Sequence, residues 1–172
     1  QLLHDTQARV AHLNAHDIGA HRVALEDLEQ RLTADPDLPN TEALIQAILP
    51  AQQALTAFHV TPAHQADVTD YTQRFAQLLH DTQARAALLN TQAIANHLVA
   101  LEDLEQRLTA DPDFANTEAL AQDIAPAQQA LAAFAALPHV TALTEAQQGD
   151  VATYTQRFAQ LLYDTQARVA RL

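Results

Sequence analysis

The 172-residue chain contains no cysteine, no serine, no lysine and no tryptophan, and it has only two glycines. Each absence removes a class of chemistry. Without cysteine there are no disulfides, no thiolate metal sites and no cysteine nucleophile. Without serine and without a glycine-rich loop, serine-hydrolase and phosphate-loop chemistry fall away. The nine basic residues are all arginines against 21 acids, a net charge of −12. Sequence-independent nucleic-acid binding needs a basic stripe to displace counterions, and an anionic membrane surface disfavours the same charge balance. No stretch approaches the roughly 20 apolar residues that span a bilayer, so no membrane insertion is expected. No signal or sorting sequence is visible, and because such addresses could lie outside the 172 residues this is uninformative.

What is present is repetition. Residues 1–58 align without a gap to 77–134, with 44 of 58 positions identical, and 150–172 match 67–89 at 18 of 23. Near-identical tandem units point to work that scales with copy number, such as reach or valency. Hydrophobic content is 48%, much of it alanine, with eight aromatic residues. This is helical composition, in which Leu, Ile, Phe and Tyr must supply most of the buried area.

The register supports that reading. Between Asp67 and Ala110 there is neither proline nor glycine. Apolar positions fall at Val68, Tyr71, Phe75 and Leu78, then at Ile94, Leu98, Leu101, Leu104 and Leu108, alternating threes and fours. A helix over 67–110 would extend about 66 Å at 1.5 Å per residue. Its apolar phase slips between Thr82 and Ile94, as expected if its halves belong to different bundles. Thr33-Ala34-Asp35-Pro36-Asp37, and its copy Thr109-Ala110-Asp111-Pro112-Asp113, read as helix stops, because proline excludes its predecessor from the helical region. Asn40 and Asn116 are expected as N-caps. Pro50 and Pro126 predict a kink or short break in each second helix. Thr61-Pro62 predicts a capped third helix with proline at its first position, and Thr144 with Gln147 predicts a capping box.

The expectation is therefore an all-α fold of two tandem three-helix bundles sharing one long continuous helix, an elongated rod. The first repeat covers 1–82, with helices near 1–34, 40–58 and 62–82. The second covers 83–172, with helices near 83–110, 116–137 and 144–172, and helix 67–110 crosses the junction.

Tyr71-Thr72-Gln73-Arg74-Phe75 and Tyr154-Thr155-Gln156-Arg157-Phe158 each precede a Leu-Leu pair, and Asn40-Thr41-Glu42-Ala43-Leu44 recurs as Asn116-Thr117-Glu118-Ala119-Leu120. On these residues the chain resembles the spectrin-like plan, and more loosely the tandem three-helix modules of Gram-positive surface proteins, the FIVAR and Ebh type. That resemblance implies an elongated, extracellular bacterial stalk or adhesin segment of a cell-wall surface protein, whose neighbours are other domains of the same parent chain.

Candidate sites are few. His12 and His16 lie four apart on one predicted helix and are the best candidate metal pair, yet their counterparts are Leu88 and Gln92. A function of the unit should persist in both copies, so surface histidines are the better reading, and zinc or haem sequestration ranks last among the functions. His21 and His97 recur one turn before Leu25 and Leu101 and read as boundary residues at the bundle junction. His59-Val60-Thr61 and His139-Val140-Thr141 read as turn neighbours; histidines charging together near pH 6 would offset part of the −12 and give pH-dependent association. Asp27 with Arg31, and Asp103 with Arg107, are expected as exposed i,i+4 ion pairs. Solvated pairs of this kind offer no asymmetric carboxylates for acid–base work. Asp35-Pro36-Asp37 and Asp111-Pro112-Asp113 lack the length, glycine and terminal glutamate of a calcium loop and read as turns.

Two functions remain in front, neither catalytic and neither calling for a cofactor. A spacer holds another domain away from a surface. A binding repeat docks a host protein, such as an immunoglobulin or another serum or matrix protein, through an exposed face kept the same in both copies, and Glu26, Glu29, Gln30 and Thr33 are the candidates for that face.

Overall fold

A computed structural model describes residues 2–110, 113–138 and 143–172. Among these the chain is all-helical: α1 (Leu2–Thr33), α2 (Leu38–Ala57), a 3-10 turn (Pro62–His64), α3 (Gln65–Thr109), α4 (Phe114–Ala135) and α5 (Glu145–Val169). It divides into two compact units, one up to Ala86 and one from Ala87 onward, so that α3 contributes to both.

In the first unit, Ile18, Leu25 and Leu28 of α1, Leu44, Ile48 and Leu55 of α2, and Tyr71, Phe75 and Leu78 of α3 form one core. These are the positions that the threes-and-fours spacing brings to one face of each helix. In the second unit the repeat equivalents Ile94, Leu101, Leu104, Leu120, Ile124, Leu131, Tyr154, Phe158 and Leu161 are all buried. Phe75 and Phe158 are each 0% exposed, the largest side chains closed off completely. At about 25 cal/mol per Å² of apolar area, such residues carry most of the burial term in an alanine-rich chain.

The helix ends follow the local chemistry, with corrections. α1 stops at Thr33. Asp35 then adopts φ 55°, the only positive φ among the described residues, and Pro36 follows. Aspartate tolerates this left-handed conformation better than most residues, and it closes the helix C-terminus much as glycine would. Asp111 and Pro112 of the matching stop, and His139, Val140 and Thr141, lie outside the described residues.

Asn40 and Asn116 are not the N-caps. The caps are Asp37 and Asp113, whose Oδ1 atoms accept the Asn40 N–H at 2.9 Å and the Asn116 N–H at 2.8 Å. Pro39 lies within the first turn of α2, where the N–H groups lack intrahelical partners and proline is tolerated. Nor do Pro50 and Pro126 break their helices; α2 and α4 run through them. Each removes one N–H from the ladder, leaving the carbonyls of Gln46 and Gln122, both exposed residues, open to water. Thr61 makes no side-chain cap, and Pro62 opens a 3-10 turn rather than α3 itself. The capping box of α5 is present in full: Gln147 N–H donates to Thr144 Oγ1 at 3.2 Å and Thr144 N–H to Gln147 Oε1 at 3.0 Å.

Candidate functional site

The face expected to bind a partner runs along α1. Glu26, Gln30 and Thr33 are exposed there, while Glu29 is half-buried and already engaged. Arg74 of α3 donates through Nε to Glu29 Oε1 at 3.0 Å and through Nη2 to Oε2 at 2.6 Å, a two-pronged bond between helices. Planar guanidinium and carboxylate match in this geometry, and both charges are stronger partners than neutral groups. The Glu29 bond holds the Arg74 pKa above its ordinary value despite partial desolvation, with smaller contributions from Asp70 and Glu26. Glu26 lies 3.9 Å from Arg22, and the Thr33 hydroxyl donates to the Gln30 carbonyl at 2.9 Å.

The second unit repeats the arrangement. Arg157 Nε and Nη2 donate to Glu105 Oε1 and Oε2 at 3.0 and 2.6 Å, Thr109 donates to the Gln106 carbonyl at 2.9 Å, and Glu102, Gln106 and Thr109 are exposed. Arg157, like Arg74, has its pKa raised, first by its hydrogen bond to the glutamate. Of the four candidate positions, then, three face solvent in each unit, and the fourth fastens the first helix of the unit to its third.

The expected ion pair between Asp103 and Arg107 gives way to a tertiary one. Arg107 Nη2 reaches Asp123 Oδ2 of α4 at 2.8 Å. Asp27 and Arg31 likewise form no ion pair; Arg31 borders a shallow groove with Ala34, Pro36, Asn40 and Leu44. A helix surface offers a long arginine several acids, and i,i+4 proximity has too little energy to dictate the choice.

His12 and His16 are both exposed on α1, and His16 Nδ1 lies 3.6 Å from Asp17 Oδ1. Among the described residues no three His, Asp or Glu side chains converge as metal ligands. His21 and His97 turn toward the C-terminal ends of α2 and α4: ring centroids lie 5.3 Å from Phe58, the residue that caps α2, and 5.5 Å from Phe134 in the last turn of α4. Burial lowers the His97 pKa below its usual value.

Three groups of polar residues stand out, of which only Thr82 was anticipated, by its place in the apolar register of α3. Asn14, 9% exposed on α1, donates from Nδ2 to the His59 carbonyl at 3.0 Å and accepts the Thr61 N–H on Oδ1 at 3.2 Å. One amide thus holds the chain between α2 and α3 against α1. Its signal was present: Asn14 stands four residues before Ile18 in the apolar register and recurs as Asn90. Arg85 of α3 pairs with Asp35 in the left-handed turn. Thr41, Thr82, Thr117 and Thr165 are each 0% exposed. Thr82 and Thr165 return their hydroxyl protons to the Leu78 and Leu161 carbonyls at 2.6 and 2.8 Å, and Thr41 and Thr117 bond the Asp37 and Asp113 carbonyls at 2.7 Å. Threonine there fills core space while satisfying its own oxygen locally.

No family model, curated protein or solved structure matches the chain. No helix among the described residues is long and apolar enough to cross a membrane.

Proposed function

We propose that the chain is a non-enzymatic structural repeat, a spacer within a larger bacterial cell-surface protein of adhesin type, in which the two units form an extended rod. One observation carries this reading. α3 runs for 45 residues without interruption and supplies Tyr71, Phe75 and Leu78 to one unit's core and Ile94, Leu101 and Leu104 to the buried set of the other. Continuous helices resist bending where a flexible linker would not, which is the property a spacer needs. The recurring polar residues favour the same view, because Arg74 with Glu29, Arg157 with Glu105, and both capping aspartates are consumed in holding helices together.

Small-angle scattering tests it. The proposed rod predicts a maximum dimension of roughly 100 Å, since a 45-residue helix extends about 67 Å. A radius of gyration near 16 Å, that of a compact chain of this length, would sink the spacer reading.

A second reading has its own support in the exposed stripe Glu26, Gln30 and Thr33, which recurs as Glu102, Gln106 and Thr109. In this reading the repeat binds a host serum or matrix protein through that stripe, with avidity from repetition. Titration with purified immunoglobulin and other serum proteins checks it, and replacing all six residues with alanine must abolish any binding seen.

A further inference from the structure

The octapeptide Leu-Leu-His-Asp-Thr-Gln-Ala-Arg occurs at 2–9 and at 78–85, and with tyrosine for histidine at 161–168. In the two later copies it is packed. Leu78 and Leu161 are each 4% exposed and Thr82 and Thr165 are sealed, with Leu78 in the core beside Leu25, Leu28, Leu44 and Ile48. In the first copy the same side chains stand in solvent: Leu2 is 84% and Leu3 72% exposed, Thr6 is exposed, and Val10 and Leu13 extend the same apolar run. Thr6, Val10 and Ala11 also border a shallow apolar groove with Thr61, Pro62 and Ala63.

We infer that the face formed by Leu2, Leu3, Thr6, Val10 and Leu13 is a docking surface for an antiparallel helical hairpin of this repeat's own kind, lying ahead of α1 in the same polypeptide. The twin segment defines what the hairpin must offer. It needs a leucine and isoleucine seam such as Leu25, Leu28, Leu44 and Ile48 present to Leu78, and an acidic turn. The acid is specified by Arg9, exposed here, because the matching Arg85 pairs with Asp35 in the turn between α1 and α2. A generic apolar partner would not call for that carboxylate. The inference is separate from the spacer reading, since a binding repeat would couple to its neighbour through the same face.

The test places a copy of residues 17–76 directly ahead of Gln1, so that the added segment meets Gln1 as Ala76 meets Gln77. Hydrogen exchange at the amides of residues 2–13 should slow at least 100-fold relative to the unextended chain. Leu2→Asp should restore fast exchange in the extended protein and leave the stability of the unextended one unchanged. Equal exchange rates with and without the extension overturn the inference, and so does an extension that stays unfolded, because residues 2–13 are claimed to complete it. Self-association of the unextended chain with residues 2–13 protected, read by sedimentation, would assign the face to a second molecule and equally overturn it.

Discussion

The two units share nine core positions and differ mainly on their surfaces. Residues 25–37 and 101–113 are identical, while 10–22 and 86–98 hold half of the 14 differences between the aligned copies and one more. Most of what changes faces outward, but the core is touched as well: Ile45, 0% exposed, becomes Ala121, and Leu38, 7% exposed, becomes Phe114, 48% exposed. Two other substitutions show how little the fastening of helix to helix depends on its neighbours. Asp70, 3.8 Å from Arg74, is Thr153 in the second unit, yet the arginine–glutamate distances are the same in both, so that geometry does not require Asp70. Ala47, packed against the first core, becomes Asp123, which draws Arg107 across to α4. The equivalent Arg31 has no such acid opposite it.

The hardest test of this equivalence is to empty both cores at the same position. Phe75→Ala and Phe158→Ala should each cost about 3–5 kcal/mol, through lost burial and an unfilled cavity. That is a large share of the stability of a small helical unit. Urea unfolding should give matching losses, and hydrogen exchange should locate each within its own unit. Losses differing by more than about 1 kcal/mol would show that identical burial conceals different packing.

Asn14→Ala is next in size. It strands the His59 carbonyl and the Thr61 N–H together, at a cost of about 1–2 kcal/mol. Exchange at the Thr61 amide should accelerate, and an unchanged rate would mean that the turn holds itself without α1.

The arginine–glutamate bonds should contribute less, because both partners are about one-third exposed in each unit. Double-mutant cycles on Arg74→Gln with Glu29→Gln, and on Arg157→Gln with Glu105→Gln, should each yield a coupling of about 0.5–1 kcal/mol that shrinks with added salt. If the first exceeds the second, Asp70 contributes after all.

The same contrast between local and distant partners decides what could be read from the sequence. Helix class, the core positions and the stop at Asp35-Pro36 follow from periodicity and proline sterics, which are encoded within a few residues. The capping box of Thr144 and Gln147 is equally local. The N-caps were misplaced by three residues because aspartate and asparagine both suit a cap, and Asp37 and Asp113 were read as part of the preceding stop. The surface face was only partly legible. Glu29 looks like any solvated carboxylate until Arg74, 45 positions away, is brought beside it. Arg107 was assigned Asp103, four residues back on the same helix, and takes Asp123, 16 positions on, instead. Partners of this kind depend on how helices pack, and no short spacing announces them.

The smallest effect sharpens the comparison at one ring in each unit. His97 lies against Phe134, and burial alone lowers its pKa from the ordinary 6.5. The unfolded chain therefore takes up a proton at this residue near pH 6.5, while the folded unit resists it to lower pH. Unfolding in that interval is accompanied by proton uptake, so stability falls as pH drops through 6.5 and the loss levels off below the folded pKa. An imidazole NMR titration should place the His97 midpoint below 6.5, and His97→Gln should flatten the decline in unfolding free energy between pH 7 and 5. In the first unit the His21 ring meets Phe58 edge-on at a similar distance, among neighbours that differ at Gly19, Ala20 and Arg22 against Ala95, Asn96 and Leu98. A His97 midpoint at or above 6.5 would mean that contact with Phe134 leaves the imidazolium hydrated, and the pH dependence of the second unit would have to come from its carboxylates.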